Sequence, residues 1–232
     1  YQAVDAGLDM HMHGPNFLKP LVNLVKQGRI SEARINAAVK PILIAKFRLG
    51  LFEKAQVNAD AASDIMFNAN HQQTALELAR QGIVLLKNDQ LLPLAAGQKI
   101  FVTGPNANNH TLMGDWVFKQ PEENIITVVE GLKAVAKPST SIDYFDLGEQ
   151  IKTLDPKLFV EAAERAKAAD VAIVVVGSNA LRYDRKGKTA GENVARSTIN
   201  LYGEQLALVQ AIHASGTPTV VVLINSRPLA EP

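Results

Sequence analysis

The chain has 232 residues, with 24 Lys plus Arg against 23 Asp plus Glu, a formal net charge of +1. That balance argues against a nucleic-acid or polyanion binder, whose domains are strongly basic, while 47% apolar and 20% charged residues suit a chain that buries a core. There is no cysteine, which excludes a disulfide scaffold, a thiol nucleophile, an iron–sulfur cluster and a Cys-rich zinc site. No apolar run approaches the roughly 18 residues of a membrane-spanning helix. The length fits one large domain or two small ones. The abrupt start at Tyr1 and the end at Pro232, just after an apolar run, raise the expectation that both ends are cuts through a longer protein.

In chain order, residues 1–13 read as a helix end, Gly7, and a short segment Leu8–Met12. Phe17, Leu18, Leu21, Val22, Leu24 and Val25 have helical spacing, and Gly28 is the expected stop. Ser31 is the expected N-cap of a further helix, whose apolar positions Ile35, Ala38, Val39, Ile42, Leu43 and Phe47 repeat every 3.6 residues. Pro41 falls inside that pattern and predicts a kink or a break. Residues 51–70 lose periodicity and read as a linker. A helix is expected at about 70–82, with Ile83–Leu86 as its tail or a short strand.

From residue 99 the rhythm changes. Apolar runs at 100–102, 141–145, 171–176 and 220–224 read as strands. Patterned stretches at 125–136, 158–168 and 206–214 read as helices. Alternation of this kind predicts a parallel sheet covered on both faces. The longest irregular stretch, Ser178–Tyr202, follows the most apolar strand. Ligands of open parallel sheets bind outside the carboxyl ends of the strands, and long loops in compact domains are commonly functional. That stretch is therefore the first place to look for chemistry.

The candidate motifs differ in weight. Thr103–Asn108 lacks the glycine spacing and the Gly-Lys-Ser/Thr ending of a phosphate loop, and reads as a tight turn. His11 and His13 alternate on an extended segment and could face one side, but two ligands with Asp9 nearby are too few for a metal site. Asn109-His-Thr111 is a formal glycosylation sequon. Trp116, the only tryptophan, is either a hydrophobic plug or a flat platform for a ligand ring. The 178–202 loop carries Asp184 and Glu192 among Arg182, Arg185, Lys186, Lys188 and Arg196. A carboxyl group there could act as a general acid or base, or the loop could be a solvated mixed-charge surface.

Several segments, in order, resemble glycoside hydrolase family 3, the β-glucosidase-like enzymes. They are Ala6-Gly-Leu-Asp-Met10, Leu24-Val-x-x-Gly28, Ile30-Ser-x-x-Arg34-Ile35, Lys46-Phe-x-Leu-Gly-Leu-Phe52 and His71–Ala79. They continue with Ile83–Asn88, Leu91–Leu94, Gly104–Ala107, Gly114-Asp-Trp116, Val174–Gly177, Gly191-Glu192 and Arg227-Pro-Leu229. The resemblance implies an α/β chain: the C-terminal remnant of a (β/α)8 barrel over residues 1–52, a linker at 53–70, and an α/β sandwich domain with a mostly parallel sheet over 71–232. It implies a β-linked glucoside or oligosaccharide as substrate, no cofactor, no metal, and the missing barrel domain as an intramolecular partner. A periplasmic or secreted location is also suggested.

By the same resemblance the nucleophile is an aspartate upstream of Tyr1, absent from this chain, so Asp115 in Gly-Asp-Trp should not be promoted to that role. The isolated chain is therefore expected to be inactive. The pattern Glu-x-x-Asp/Ser-Arg matches Glu192–Arg196, which makes Glu192 the acid/base candidate and Arg196 a supporting residue. Trp116 resembles a tryptophan lining the substrate pocket, where it would stack on a sugar face. The sequence departs from the pattern at Ala195, where Asp or Ser is usual, and at Ser178, where many relatives have Glu. These departures favour the alternative, a non-catalytic α/β module that binds a sugar or a partner. A retaining mechanism requires two carboxyl groups about 5–5.5 Å apart, and an acid of raised pKa, which burial against substrate would favour.

Overall fold

The computed structural model describes residues 1–180 and 184–230. The chain divides into two compact units, Tyr1–Val84 and Leu85–Pro232.

The regular structure of the first unit is helical: α1 (Gln2–Asp5), α2 (Leu18–Lys26), α3 (Glu32–Arg48), α4 (Ala62–Ile65) and α5 (Ala69–Gly82). Gly28 adopts a left-handed φ of 70° just beyond α2, and the Arg29 N–H donates back to Leu24 O at 2.9 Å. Ser31 caps α3 by accepting the Arg34 N–H at 3.1 Å, as Asn68 caps α5 by accepting that of His71 at 3.0 Å. These side-chain acceptors satisfy amides that a first helical turn leaves without partners.

Three local expectations are corrected. Pro41 does not break α3, which runs continuously from Glu32 to Arg48. Proline removes one amide donor, and the turns on either side remain intact. Residues 8–13 form no strand, and Ile83–Leu86 is neither a helical tail nor a strand. In this unit only Val4, Ile30 and Ala38 are buried apolar residues, while Leu18, Phe47, Phe52 and Leu78 are among many large ones that stay exposed.

The second unit is the expected α/β domain. Its strands are β1 (Lys99–Thr103), β2 (Ser141–Phe145), β3 (Val171–Gly177) and β4 (Thr219–Ile224), and its helices are α6 (Val128–Val135), α7 (Leu158–Lys167) and α8 (Gln205–Ala214). The sheet order is β2-β1-β3-β4, and all three pairings are parallel. A parallel pair needs a crossover, and α6, α7 and α8 lie in the three crossovers.

Burial explains the patterning. Every residue of β3 is buried, which is why its sequence is continuously apolar rather than alternating. Phe101, Val174 and Val176 share one cluster with Phe159, Ala162, Ala166, Leu208 and Ile212. The buried positions of α7 and α8 therefore recur at three- and four-residue steps, forming one stripe on each helix. Ile100, Val102, Val171, Ile173 and Val175 share the other cluster with Val129. Alternate residues of β1 and β3 thus face opposite layers. The chain steps from β1 to β2, then reverses to β3 on the other side of β1, so the switch point lies between the carboxyl ends of β1 and β3.

Candidate active site

The carboxyl ends of the central strands are fixed by glycine. Gly104 has φ +112°, and a Cβ there would lie 2.2 Å from Val175 O. Gly177 has φ +141°, and a Cβ would lie 2.0 Å from Ile224 O. Neither position admits a side chain unless backbone moves. The turn after β1 can therefore fold over β3, with the Asn106 N–H donating to Val175 O at 3.3 Å.

The loop leaving β3 is tied down in stages. Ser178 N–H donates to Ile224 O at 2.9 Å, and Ser178 Oγ accepts from Ser226 N–H at 3.3 Å. Asn179 O accepts from the N–H groups of Thr189 at 2.7 Å and Ala190 at 3.1 Å, while Thr189 Oγ1 accepts the Asn179 N–H at 2.9 Å. Asn179 is thereby held against Thr189 and Ala190. Asp184 accepts the Gly187 N–H at 3.0 Å and a Gln150 amide N–H at 3.2 Å. The Gly187 amide, followed by Gln150, holds the Asp184 carboxyl below the usual aspartate range. Asp184 thus organises a turn, and its surroundings on balance lower its pKa, away from that of a neutral-pH acid. Arg182 shares this loop in sequence but lies outside the described residues.

Glu192 follows at once. Its side chain is exposed, but its backbone is held on both sides. The Glu192 N–H donates to Asp115 Oδ2 at 2.6 Å, and Glu192 O accepts from Lys188 Nζ at 2.8 Å. Lys188 Nζ also pairs with Asp115 Oδ1 at 2.6 Å, with the two side chains only 7% and 9% exposed. Asp115 thereby ties the loop carrying Trp116 to the loop carrying Glu192. Trp116 itself is 71% exposed, and Phe118 is 87% exposed, so Trp116 is not a plug. Arg196 turns to the following segment, donating to Asn200 O and lying 5.3 Å over the Tyr202 ring.

Two features missed by sequence reasoning complete the site: the Asp115–Lys188 pair and the side chain of Gln205, which bonds the end of β3. Neither had a sequence signal beyond an aspartate in a Gly-Asp-Trp run and a lysine in a basic loop. Two other motifs take their places in the fold. Asn109 is 1% exposed, and its Oδ1 accepts the Thr111 N–H at 2.8 Å, so the sequon asparagine is inside the fold. The His11 ring stacks on Phe17 with centroids 4.1 Å apart, and no cluster of three or more potential metal ligands occurs among the described residues.

Together, fold and site define a doubly wound parallel α/β domain in which a carboxyl-bearing loop after β3 is pinned to an aromatic-bearing loop after β1. The chain belongs to glycosyl hydrolase family 3: residues 83–232 match the profile described as the Glycosyl hydrolase family 3 C-terminal domain. It is 37% identical to a beta-xylosidase of Formosa agariphila over 84% of this chain and 27% of that protein. It is 31% identical to a periplasmic beta-glucosidase of Salmonella typhimurium over 98% of this chain and 32% of the relative. Among solved structures, it matches a β-glucosidase from Listeria innocua in complex with gluconolactone, with a TM-score of 0.76 and 27% identity over 98% of this chain and 30% of the other. The chain thus spans 27%, 32% and 30% of the lengths of these three relatives.

Proposed function

We propose that this chain is part of a retaining exo-acting β-glycosidase of β-glucosidase or β-xylosidase type, and that Glu192 is its acid/base. The observation that carries this reading is the state of Glu192: an exposed residue on the loop beyond the carboxyl end of β3, on a backbone anchored at both N–H and C=O. A proton-transferring group needs a solvent-accessible position on a fixed base, and Glu192 is exposed on a backbone anchored on both sides.

In the proposed reaction an aspartate elsewhere in the full-length protein attacks the anomeric carbon. Glu192 protonates the departing glycosidic oxygen, then takes a proton from the water that hydrolyses the glycosyl–enzyme. Trp116, solvent-exposed on the segment tied to Glu192, offers its ring face to the sugar's C–H groups. Asp115 is unsuited to the nucleophile's role, because its carboxylate is buried and spent on Lys188 and the Glu192 amide.

Residues 1–52 are read as the last part of a (β/α)8 barrel, 53–70 as the linker and 71–232 as the sandwich domain. The exposed apolar side chains of Leu18, Phe47 and Phe52 support the rest of that barrel as their intramolecular partner, since large apolar patches mark contact surfaces. The chain alone is then inactive. A periplasmic or secreted location follows the name of the Salmonella relative.

The test is Glu192→Ala in the full-length protein. Hydrolysis of an aryl β-glycoside should slow by about 10²-fold or more, and azide should restore turnover of substrates with good leaving groups. Unchanged rates and no azide effect would move the acid/base role to another residue.

A further inference from the structure

We propose that Asp115 and Lys188 are positioning residues for the reaction: a buried ion pair that sets the Glu192 backbone, and so the placement of its carboxyl. This rests on the reading of Glu192 as the acid/base.

Four observations support it. First, the pair is bidirectional. Asp115 takes the amide on the N-terminal side of Glu192 at 2.6 Å, and Lys188 gives to the carbonyl on the other side at 2.8 Å. Second, the two clamping groups are themselves joined at 2.6 Å inside the protein, so neither swings freely. Third, Gly191 makes room for the clamp. With φ +94°, a Cβ there would lie 2.9 Å from Asp115 Oδ2 and 3.0 Å from Lys188 Cε. Fourth, the clamp is anchored below, because the Lys188 N–H donates to Asp184 O at 3.1 Å and the neighbouring Thr189 N–H donates to Asn179 O at 2.7 Å, two residues beyond the end of β3.

A buried charge pair is a weak way to gain stability, since desolvation offsets the Coulombic attraction. It is an effective way to fix geometry, because each charge has only one low-energy place to be. Acid catalysis is sensitive to that geometry: a misplacement of about 1 Å can cost a factor of about 10².

The test uses the full-length protein and two substrates of the same sugar. One has a poor leaving group that requires protonation, such as an alkyl β-glycoside. The other is a dinitrophenyl β-glycoside, which leaves without help. Glu192→Ala is the reference. Asp115→Asn keeps shape but leaves one acceptor oxygen for two donors, and Lys188→Met removes the second anchor. Both variants should lose kcat/KM on the alkyl substrate by at least about tenfold more than on the dinitrophenyl one. Azide should accelerate both on the dinitrophenyl substrate, as in Glu192→Ala. Circular dichroism and thermal melting report folding. If either single variant fails to fold, the double variant Asp115→Asn/Lys188→Met, which buries no lone charge, is read in the same way.

A substrate-dependent loss in folded variants supports the positioning role. An equal loss on both substrates, or none, while Glu192→Ala still discriminates between them, overturns it and leaves Glu192 as the acid/base. If Glu192→Ala itself does not discriminate, the reading of Glu192 fails and the proposal fails with it.

Discussion

Gln205 closes the end of β3 by bonding both backbone groups of Gly177. Its Oε1 accepts the Gly177 N–H at 2.8 Å, and its Nε2 donates to Gly177 O at 2.9 Å and to Tyr202 O at 2.9 Å. The side chain is completely buried. A primary amide is the one neutral side-chain group that matches a peptide unit donor for acceptor. Because Gln205 is also the first residue of α8, one side chain fixes both the start and the end of the 178–202 loop.

Replacing Gln205 by Leu keeps the volume but strands the Gly177 amide and carbonyl. An unsatisfied buried polar group costs about 1–3 kcal/mol, so Gln205→Leu should destabilise the second unit by roughly 2–4 kcal/mol. Gln205→Glu should also destabilise it, because a carboxylate accepts from the Gly177 N–H but gives nothing to its carbonyl. Urea unfolding measures both. A loss below 0.5 kcal/mol, within the scatter of surface substitutions, would mean that Gly177 finds other partners.

Glycine is required unequally, and alanine substitutions should reveal this. At Gly28, with φ +70°, a Cβ meets nothing within 4 Å, so alanine costs only the left-handed backbone, about 1–2 kcal/mol. At Gly104 and Gly177 a Cβ falls 2.2 and 2.0 Å from a neighbouring carbonyl oxygen, which adds overpacking of about 1–3 kcal/mol. Thermal unfolding should therefore rank Gly104→Ala and Gly177→Ala well below Gly28→Ala. Equal losses would show that the strand ends relax around a methyl group.

What was legible follows from the range of the forces involved. The strands and helices of the second unit were legible because Val171–Val176 and Phe159, Ala162 and Ala166 report burial through local period alone. The unbroken passage of α3 through Pro41 was not, since one missing amide bond is weighed against the whole helix. Ile83–Leu86 has strand composition, but ladder partners are long-range and sequence does not name them. The same holds for the site. Glu192 and Trp116 stood out by motif, whereas the partnership of Asp115 with Lys188, 73 positions apart, has no periodic signature. The buried state of Asn109 is equally invisible to a sequon pattern.

Acid should weaken the second unit through two carboxylates. The Thr127 backbone amide, aided by His110, lowers the Glu130 pKa below its ordinary 4.5, and the Gly187 amide lowers that of Asp184 below 3.8. Lowered native pKa values mean that the unfolded chain binds protons more readily. The stabilisation is therefore complete above the ordinary values and is lost as pH falls through the native ones. The Glu130 side chain is 45% exposed, so solvent screening keeps its share small. Glu130→Gln should flatten the decline in melting temperature below pH 4.5, while leaving neutral-pH stability slightly lower. A decline unchanged in both Glu130→Gln and Asp184→Asn would place acid sensitivity elsewhere.

In the first unit Arg34 gathers the N-terminal segment. Its Nε donates to Val4 O at 2.7 Å, and one terminal nitrogen donates to Leu8 O at 3.1 Å and pairs with Asp9 Oδ1 at 3.0 Å. A lysine is a single point charge and does not reproduce this fork. Both Arg34→Lys and Arg34→Ala should speed hydrogen exchange of the amides in residues 2–9 while leaving those of α3 protected. Unaltered exchange would show that Ile30 and Val4 hold the segment through packing alone.

Asn106 offers the opposite kind of test, a substitution expected to stabilise. It is completely buried beside the β1–β3 switch point, and neither its Oδ1 nor its Nδ2 has a hydrogen-bond partner. Only its backbone is engaged, through the 3.3 Å bond to Val175 O. A buried amide left unpaired costs about 1–3 kcal/mol, and leucine has a similar shape without polar atoms. Asn106→Leu should therefore raise stability by about 1–2 kcal/mol, seen as a higher urea midpoint with an unchanged slope. A fall instead would mean that ordered water, or a ligand entering the crevice, satisfies the amide. Comparing melts with and without a β-glycoside would separate the two, since a ligand that binds only the folded state stabilises it in proportion to its concentration.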